Sequence, residues 1–205
     1  MKNLQIIDEL LKKEHIYLEI EDECYFLLSY TSGFSYDYSK DNSIICNLKK
    51  GVEKKKNPQE WKHKENAIKQ IAQMLEQVQI DTFFSKKVTF VPIPPSKIKT
   101  DPKYDDRLVN ILQQVGGGNL DVREIILQKE NTESYHHSDK RRNPYQIQEN
   151  YIVDESECND VNQIMIVFDD MITTGAHYKA VKNLLQKRFP SKRIKGLFVS
   201  RRVIS

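Results

Sequence analysis

Apolar residues along this 205-residue chain follow two rhythms, one helical and one extended. Leu4, Ile7, Leu10 and Leu11 recur at helical spacing and predict a short amphipathic opening helix. Tyr25 to Tyr30 and Ser43 to Leu48 are compact apolar runs that read as strands. Between them, Thr31 to Asn42 holds Gly33, Asp37, Asp41 and Asn42, the composition of a hairpin loop. From Pro58 the rhythm turns helical: Trp61, Ala67, Ile68, Ile71, Ala72, Leu75 and Val78 form one stripe behind a proline suited to the first turn. Lys87 to Val91 is a short buried strand that runs into Pro92-Ile93-Pro94-Pro95-Ser96-Lys97. Leu108, Ile111, Leu112 and Val115 predict a helix, stopped by Gly116-Gly117-Gly118. Val122 to Leu127, Tyr151 to Val153 and Ile194 to Ser200 read as further strands, the last with Arg201-Arg202 at its end. Strands alternating with helices predict an α/β fold, a mostly parallel central sheet with helices on both faces. Residues 1–57 are expected to form a small accessory part of helix and β-hairpin, packed on a core domain spanning 58–205.

The densest chemistry lies in Ile164-Met165-Ile166-Val167-Phe168-Asp169-Asp170-Met171-Ile172-Thr173-Thr174-Gly175-Ala176-His177. The apolar run predicts a strand buried on both faces, ending at two adjacent carboxylates. Ala180, Val181, Leu184 and Leu185 then predict a helix. Thr173 and Thr174 offer hydroxyls, and Gly175 allows backbone conformations closed to other residues. The amides opening the following helix lack intrahelical partners and carry the positive end of its dipole. Together these suit an anion such as phosphate. Asp169 and Asp170, as acceptors, suit sugar hydroxyls or the water shell of Mg²⁺. Phosphate beside polyol describes a phosphorylated ribose. Read alone, Thr-Thr-Gly also serves as an ordinary helix cap.

Composition narrows the class without naming a ligand. Charged residues make up 30% and mean hydropathy is −0.64, which predicts a soluble chain. A net charge of +3 is too mild to imply nucleic acid. Cys24, Cys46 and Cys158 lack Cys-x-x-Cys spacing, so a reducing, cytoplasmic setting is expected. No apolar run approaches the roughly 18 residues that span a membrane, and no signal-peptide core opens the chain.

The stretch from Ile164 to Ala176 resembles the phosphoribosyl diphosphate signature of the type I phosphoribosyltransferases. That resemblance implies that Asp169 and Asp170 hold the ribose hydroxyls. It implies that Thr173, Thr174, Gly175, Ala176 and His177 surround the 5′-phosphate, with His177 standing where the family usually has Thr or Ser. Pro95, Ser96 and Lys97 correspond to the family's diphosphate-binding loop, where prolines would stiffen exposed amides. The polar run Lys129 to Asn143 corresponds to a mobile lid, which would bring Lys140 and Arg141 to the leaving group as catalytic residues beside Asp169 and Asp170. A basic residue, then Thr132, then a basic pair before Asn143 is similar to the ComF-type branch, although its N-terminal zinc-binding cysteines are absent. The implied activity is transfer of ribose 5-phosphate from 5-phosphoribosyl 1-diphosphate to a nitrogen nucleophile, with Mg²⁺ held by the ligand and water near Asp169 and Asp170. Two alternatives stay open: a non-catalytic sensor of the same ligand, and a ComF-like accessory factor for nucleic acid. A homodimer is a further partner expectation, and a membrane is not. Adjacent His136 and His137 are not expected to share a metal.

Overall fold

The computed structural model describes residues 3–78, 87–132 and 143–204. Six strands form the main sheet in the order β1-β2-β8-β7-β3-β4. They are β1 (Gln5–Ile6), β2 (Cys24–Thr31), β3 (Val88–Pro92), β4 (Asp121–Val122), β7 (Ile164–Ile172) and β8 (Arg193–Val203). Only β1 runs antiparallel to its neighbour. A separate two-stranded antiparallel sheet pairs β5 (Ile126–Gln128) with β6 (Tyr151–Val153). The α/β class with a mostly parallel sheet therefore holds. Among the described residues no helix is long and apolar enough to cross a membrane.

Helices cover both faces. One face carries α2 (Lys40–Leu48), α3 (Pro58–Gln77) and α4 (Arg107–Gln114), whose Ile45, Leu48, Ile71, Leu75, Ile111 and Leu112 bury against Phe90, Ile166 and Phe168. The other carries α5 (Pro144–Glu149) and α6 (Ala176–Arg188), whose Ile147, Tyr178, Val181 and Leu185 meet Val91, Met165, Val167 and Phe198. α3 begins where Asn57 caps its amides and Pro58 fills the first turn. Gly196 of β8 makes room for Tyr178 of α6: an added Cβ would lie 3.0 Å from the Tyr178 ring and 2.8 Å from the Cys24 sulfur.

Five expectations need correction. Ser43 to Leu48 is part of α2, not a strand: Ser39 caps that helix, and Ile44, Ile45 and Leu48 line its buried side. The accessory hairpin therefore does not exist, and β2 instead pairs parallel with β8 inside the main sheet. The opening helix is a single turn, α1 (Glu9–Lys12), because Gln5–Ile6 is extended and paired with β2. Val122 to Leu127 is two strands in two sheets: the Arg123 amide bonds to Phe90 of β3, whereas Ile126 pairs with Val153. Arg201 and Arg202 lie inside β8 rather than beyond it.

Candidate functional site

β7 does not stop at the carboxylates. It continues through Asp169 and Asp170 to Ile172, because Asp169 and Met171 stay in register with Phe198 and Ser200 of β8. The Ser200 hydroxyl donates to the Asp170 carbonyl at 3.0 Å. The two acids are thus fixed by a paired, buried backbone rather than by a loop. The chain leaves β3 for β4 on one side and returns as β7 on the other. Strand order reverses between β3 and β7, the crevice where open α/β sheets usually take ligands. The Ile93 amide donates to the Phe168 carbonyl at 2.9 Å, so the proline loop Pro94 to Lys97 emerges directly beside the acids.

The two carboxylates have different surroundings. Asp170 is 5% exposed. Its Oδ2 accepts from Arg107 Nε at 3.0 Å and Nη2 at 2.5 Å, and its Oδ1 lies 3.0 Å from Lys49 Nζ. Arg107 is itself held by Asp105 at 2.6 Å, and Asp105 meets the buried Lys64 at 2.5 Å. Lys64 also donates to the Lys50 carbonyl at 2.7 Å. An internal ion chain thus runs from α3 through the segment after β3 to the end of α2. Burial opposes ionisation of Asp170, but Lys49 and Arg107 outweigh it and hold this carboxyl well below the usual range. Asp169 is half-buried, and its Oδ1 accepts the Asp170 amide at 2.8 Å. Burial and then the Asp170 charge push the Asp169 carboxyl up to about 7.

The Thr-Thr-Gly turn follows, and α6 starts at Ala176 behind Gly175 in the left-handed conformation, φ +83°. Thr174 Oγ1 accepts the Ala176 amide at 3.4 Å, while the Thr173 side chain is exposed. One flank of the turn is covered by the chain itself. His15 Nδ1 donates to the Thr173 carbonyl, the Tyr17 amide donates to the Thr174 carbonyl at 3.0 Å, and Leu18 packs on Gly175. A strap from His15 to Leu18 therefore braces the turn. It is anchored by Asp22, fully buried, which takes Lys179 at 3.0 Å and Lys182 at 2.5 Å from α6. His177 lies half-buried with Nδ1 2.9 Å from the Tyr151 hydroxyl.

Pro95, Ser96 and Lys97 are half-buried. The Ser96 carbonyl accepts the Thr132 amide at 2.8 Å, and Lys97 Nζ donates to the Thr132 carbonyl at 3.3 Å. The Ile98 amide donates to Asn131 Oδ1 at 2.9 Å. The proline loop is thereby tied to the segment that leads toward the expected lid. Behind it is a small cavity of about 100 Å³ lined by Lys97, Tyr104, Leu127, Gln128 and Ile152 among others. Most of the lid, with Lys140, Arg141, His136 and His137, lies outside the described residues.

The fold thus brings Asp169, Asp170, Thr173 to His177 and Pro95 to Lys97 to one edge of the sheet. Reading the sequence missed Lys49, Arg107 and Asp105, and the strap with His15. Asp105 and Arg107 had a signal, since charges just after a ligand-facing loop sit near the same edge. Lys49 had none, because it opens the lysine-rich stretch Lys49 to Lys56, the ordinary composition of a solvated turn. No family model matches this chain, and a comparison with curated proteins finds no match.

Proposed function

We propose that this chain binds 5-phosphoribosyl 1-diphosphate and transfers ribose 5-phosphate to a nitrogen nucleophile. One observation carries the reading. An acid pair near the end of one parallel strand, and the Thr-Thr-Gly turn that follows it, stand beside a proline-stiffened Ser-Lys loop on the next, at the point where strand order reverses. In this reading the Thr173 to His177 turn and the start of α6 receive the 5′-phosphate. The half-buried Asp169 accepts from the ribose hydroxyls. Ser96 and Lys97 face the diphosphate, and Lys140 and Arg141 join them from the lid. The bond from ribose C1 to the diphosphate oxygen breaks, and its electron pair leaves with the diphosphate. The nitrogen lone pair forms the new C1–N bond, and the nitrogen loses its proton to water. Holding the reactants in place and stabilising the leaving charge are the protein's main contributions.

Direct coordination of Mg²⁺ does not fit this acid pair. Both Asp170 oxygens are engaged by Arg107 and Lys49, and one Asp169 oxygen is taken by the Asp170 amide. The metal in this reading arrives on the donor's own phosphates and water.

The test is calorimetry with the donor and Mg²⁺, followed by diphosphate release across a panel of nucleobases and amines. Binding with release supports the proposal. Binding without release moves the reading to a sensor. No binding at millimolar donor overturns it.

A further inference from the structure

The acid pair is asymmetric in its contacts, and that asymmetry assigns different tasks to its members. We infer that Asp170 is a positioning residue, held in place by Arg107 and Lys49, and that Asp169 alone of the two meets the bound sugar. The inference rests on the phosphoribosyl reading and goes beyond the expectation that both acids hold the ribose.

The geometry leaves Asp170 little capacity for a ligand. Three charged N–H donors already converge on its two oxygens, and its side chain is 7% exposed. Arg107 grips Oδ2 with two N–H groups and Lys49 holds Oδ1, so a sugar would compete for oxygens already paired on the sheet's α4 side. Giving up that pair would leave buried charges uncompensated, a loss that one hydroxyl hydrogen bond does not offset. Asp169 is placed the opposite way. Its Oδ1 takes the Asp170 amide, which fixes the rotamer, while Oδ2 has no hydrogen-bond partner among the described residues. Lys49 and Arg107 come from separate elements, the C-terminal cap of α2 and the first residue of α4, so the division is built by the fold. Asp105 sets Arg107 from the far side, and Lys64 sets Asp105. Protonation follows the same division: the Asp170 carboxyl is held low and the Asp169 carboxyl is raised.

The experiment uses the full chain with ¹³C-labelled aspartate carboxyls, resonances assigned by Asp169→Asn and Asp170→Asn. Without ligand, the Asp170 carboxyl should stay constant from pH 4 to 8, while Asp169 titrates within that interval. Arg107→Met should bring Asp170 titration into the interval, and Arg107→Lys should restore its constancy. A packing role alone would change thermal stability without moving either titration. Adding ribose 5-phosphate should shift the Asp169 resonance and leave Asp170 unmoved. Asp169→Asn should weaken ribose 5-phosphate binding at least tenfold. Joint titration of both acids in the wild type, or a ligand shift confined to Asp170, would overturn the inference. Absence of any sugar-phosphate binding would instead overturn the functional reading, and the ligand-free titration would still decide whether Asp170 is fixed by Arg107 and Lys49.

Discussion

Gly175→Ala probes the most constrained contact at the site. Gly175 has φ +83°, and a Cβ there would stand 3.1 Å from Leu18 Cδ2 and 3.3 Å from Leu18 Cγ. The left-handed backbone costs a residue bearing a Cβ roughly 1–2 kcal/mol. Forcing Leu18 away adds an overpacking cost of about 1–3 kcal/mol. The sum, about 2–5 kcal/mol, corresponds to a melting-temperature fall of roughly 4–20 °C at about 2–4 °C per kcal/mol for a chain of this size. The two contributions separate in a double-mutant cycle. On a Leu18→Ala background the steric part vanishes, so Gly175→Ala should cost only the backbone part. The coupling should then be about 1–3 kcal/mol. Urea denaturation followed by circular dichroism reads all four corners, with the m-value checked for constancy. Strictly additive effects, or a single-variant cost below about 1 kcal/mol, would refute the strap's close packing on the turn.

Two further outcomes follow from the same edge of the sheet. Burial lowers the His15 pKa, so the strapped state binds fewer protons than the open one, and its stability should fall as pH drops through about 6.5. The protection factors of the Tyr17 and Leu18 amides, with intrinsic base-catalysed exchange divided out, should therefore fall from pH 8 to 5.5 in the wild type, and His15→Phe should remove that slope. Replacing Lys140 and Arg141 together with Ala should lower turnover about tenfold or more while changing donor affinity less, because the leaving diphosphate gains charge in the transition state; steady-state and binding measurements on the same variant separate the two.

What the sequence disclosed follows the range of the interaction behind each element. β3 and β7 were legible because strands buried on both faces carry nearly continuous apolar runs, as Ile164 to Phe168 does and as Val88 to Val91 does around the β-branched Thr89. α3 was legible from its stripe and from Pro58 at its start. Ser43 to Leu48 misled because Ile44-Ile45-Cys46 is a short run in which β-branched residues favour a strand locally. Burial of Ile44, Ile45 and Leu48 against the α3 side of the sheet decided for helix. Val122 to Leu127 looked continuous because Val122 and Ile125-Ile126-Leu127 flank only two charged residues, Arg123 and Glu124, a spacing that exposed positions of one strand also show. The break falls at those charges, where the Arg123 amide makes the last bond to β3.

At the site, the motif fixed which residues share an edge, but their division of work depends on partners far apart in the chain. Arg107 meets Asp170 across 63 positions, and His15 meets Thr173 across 158. A doublet of aspartates reads as two equivalent acceptors until those partners are known. Adjacent residues on a strand point to opposite faces, so one acid of such a doublet turns toward whatever helix covers its side. Here that side carries Arg107 at the head of α4 and Lys49 at the end of α2. The doublet therefore becomes one anchored carboxylate and one open to the crevice. The same logic makes the strap intelligible. A turn with exposed carbonyls at Thr173 and Thr174 needs donors, and the chain supplies His15 and the Tyr17 amide from its own N-terminal segment. The side of the turn away from that segment, where Thr173 is exposed, is then the side on which an anion can approach without displacing protein.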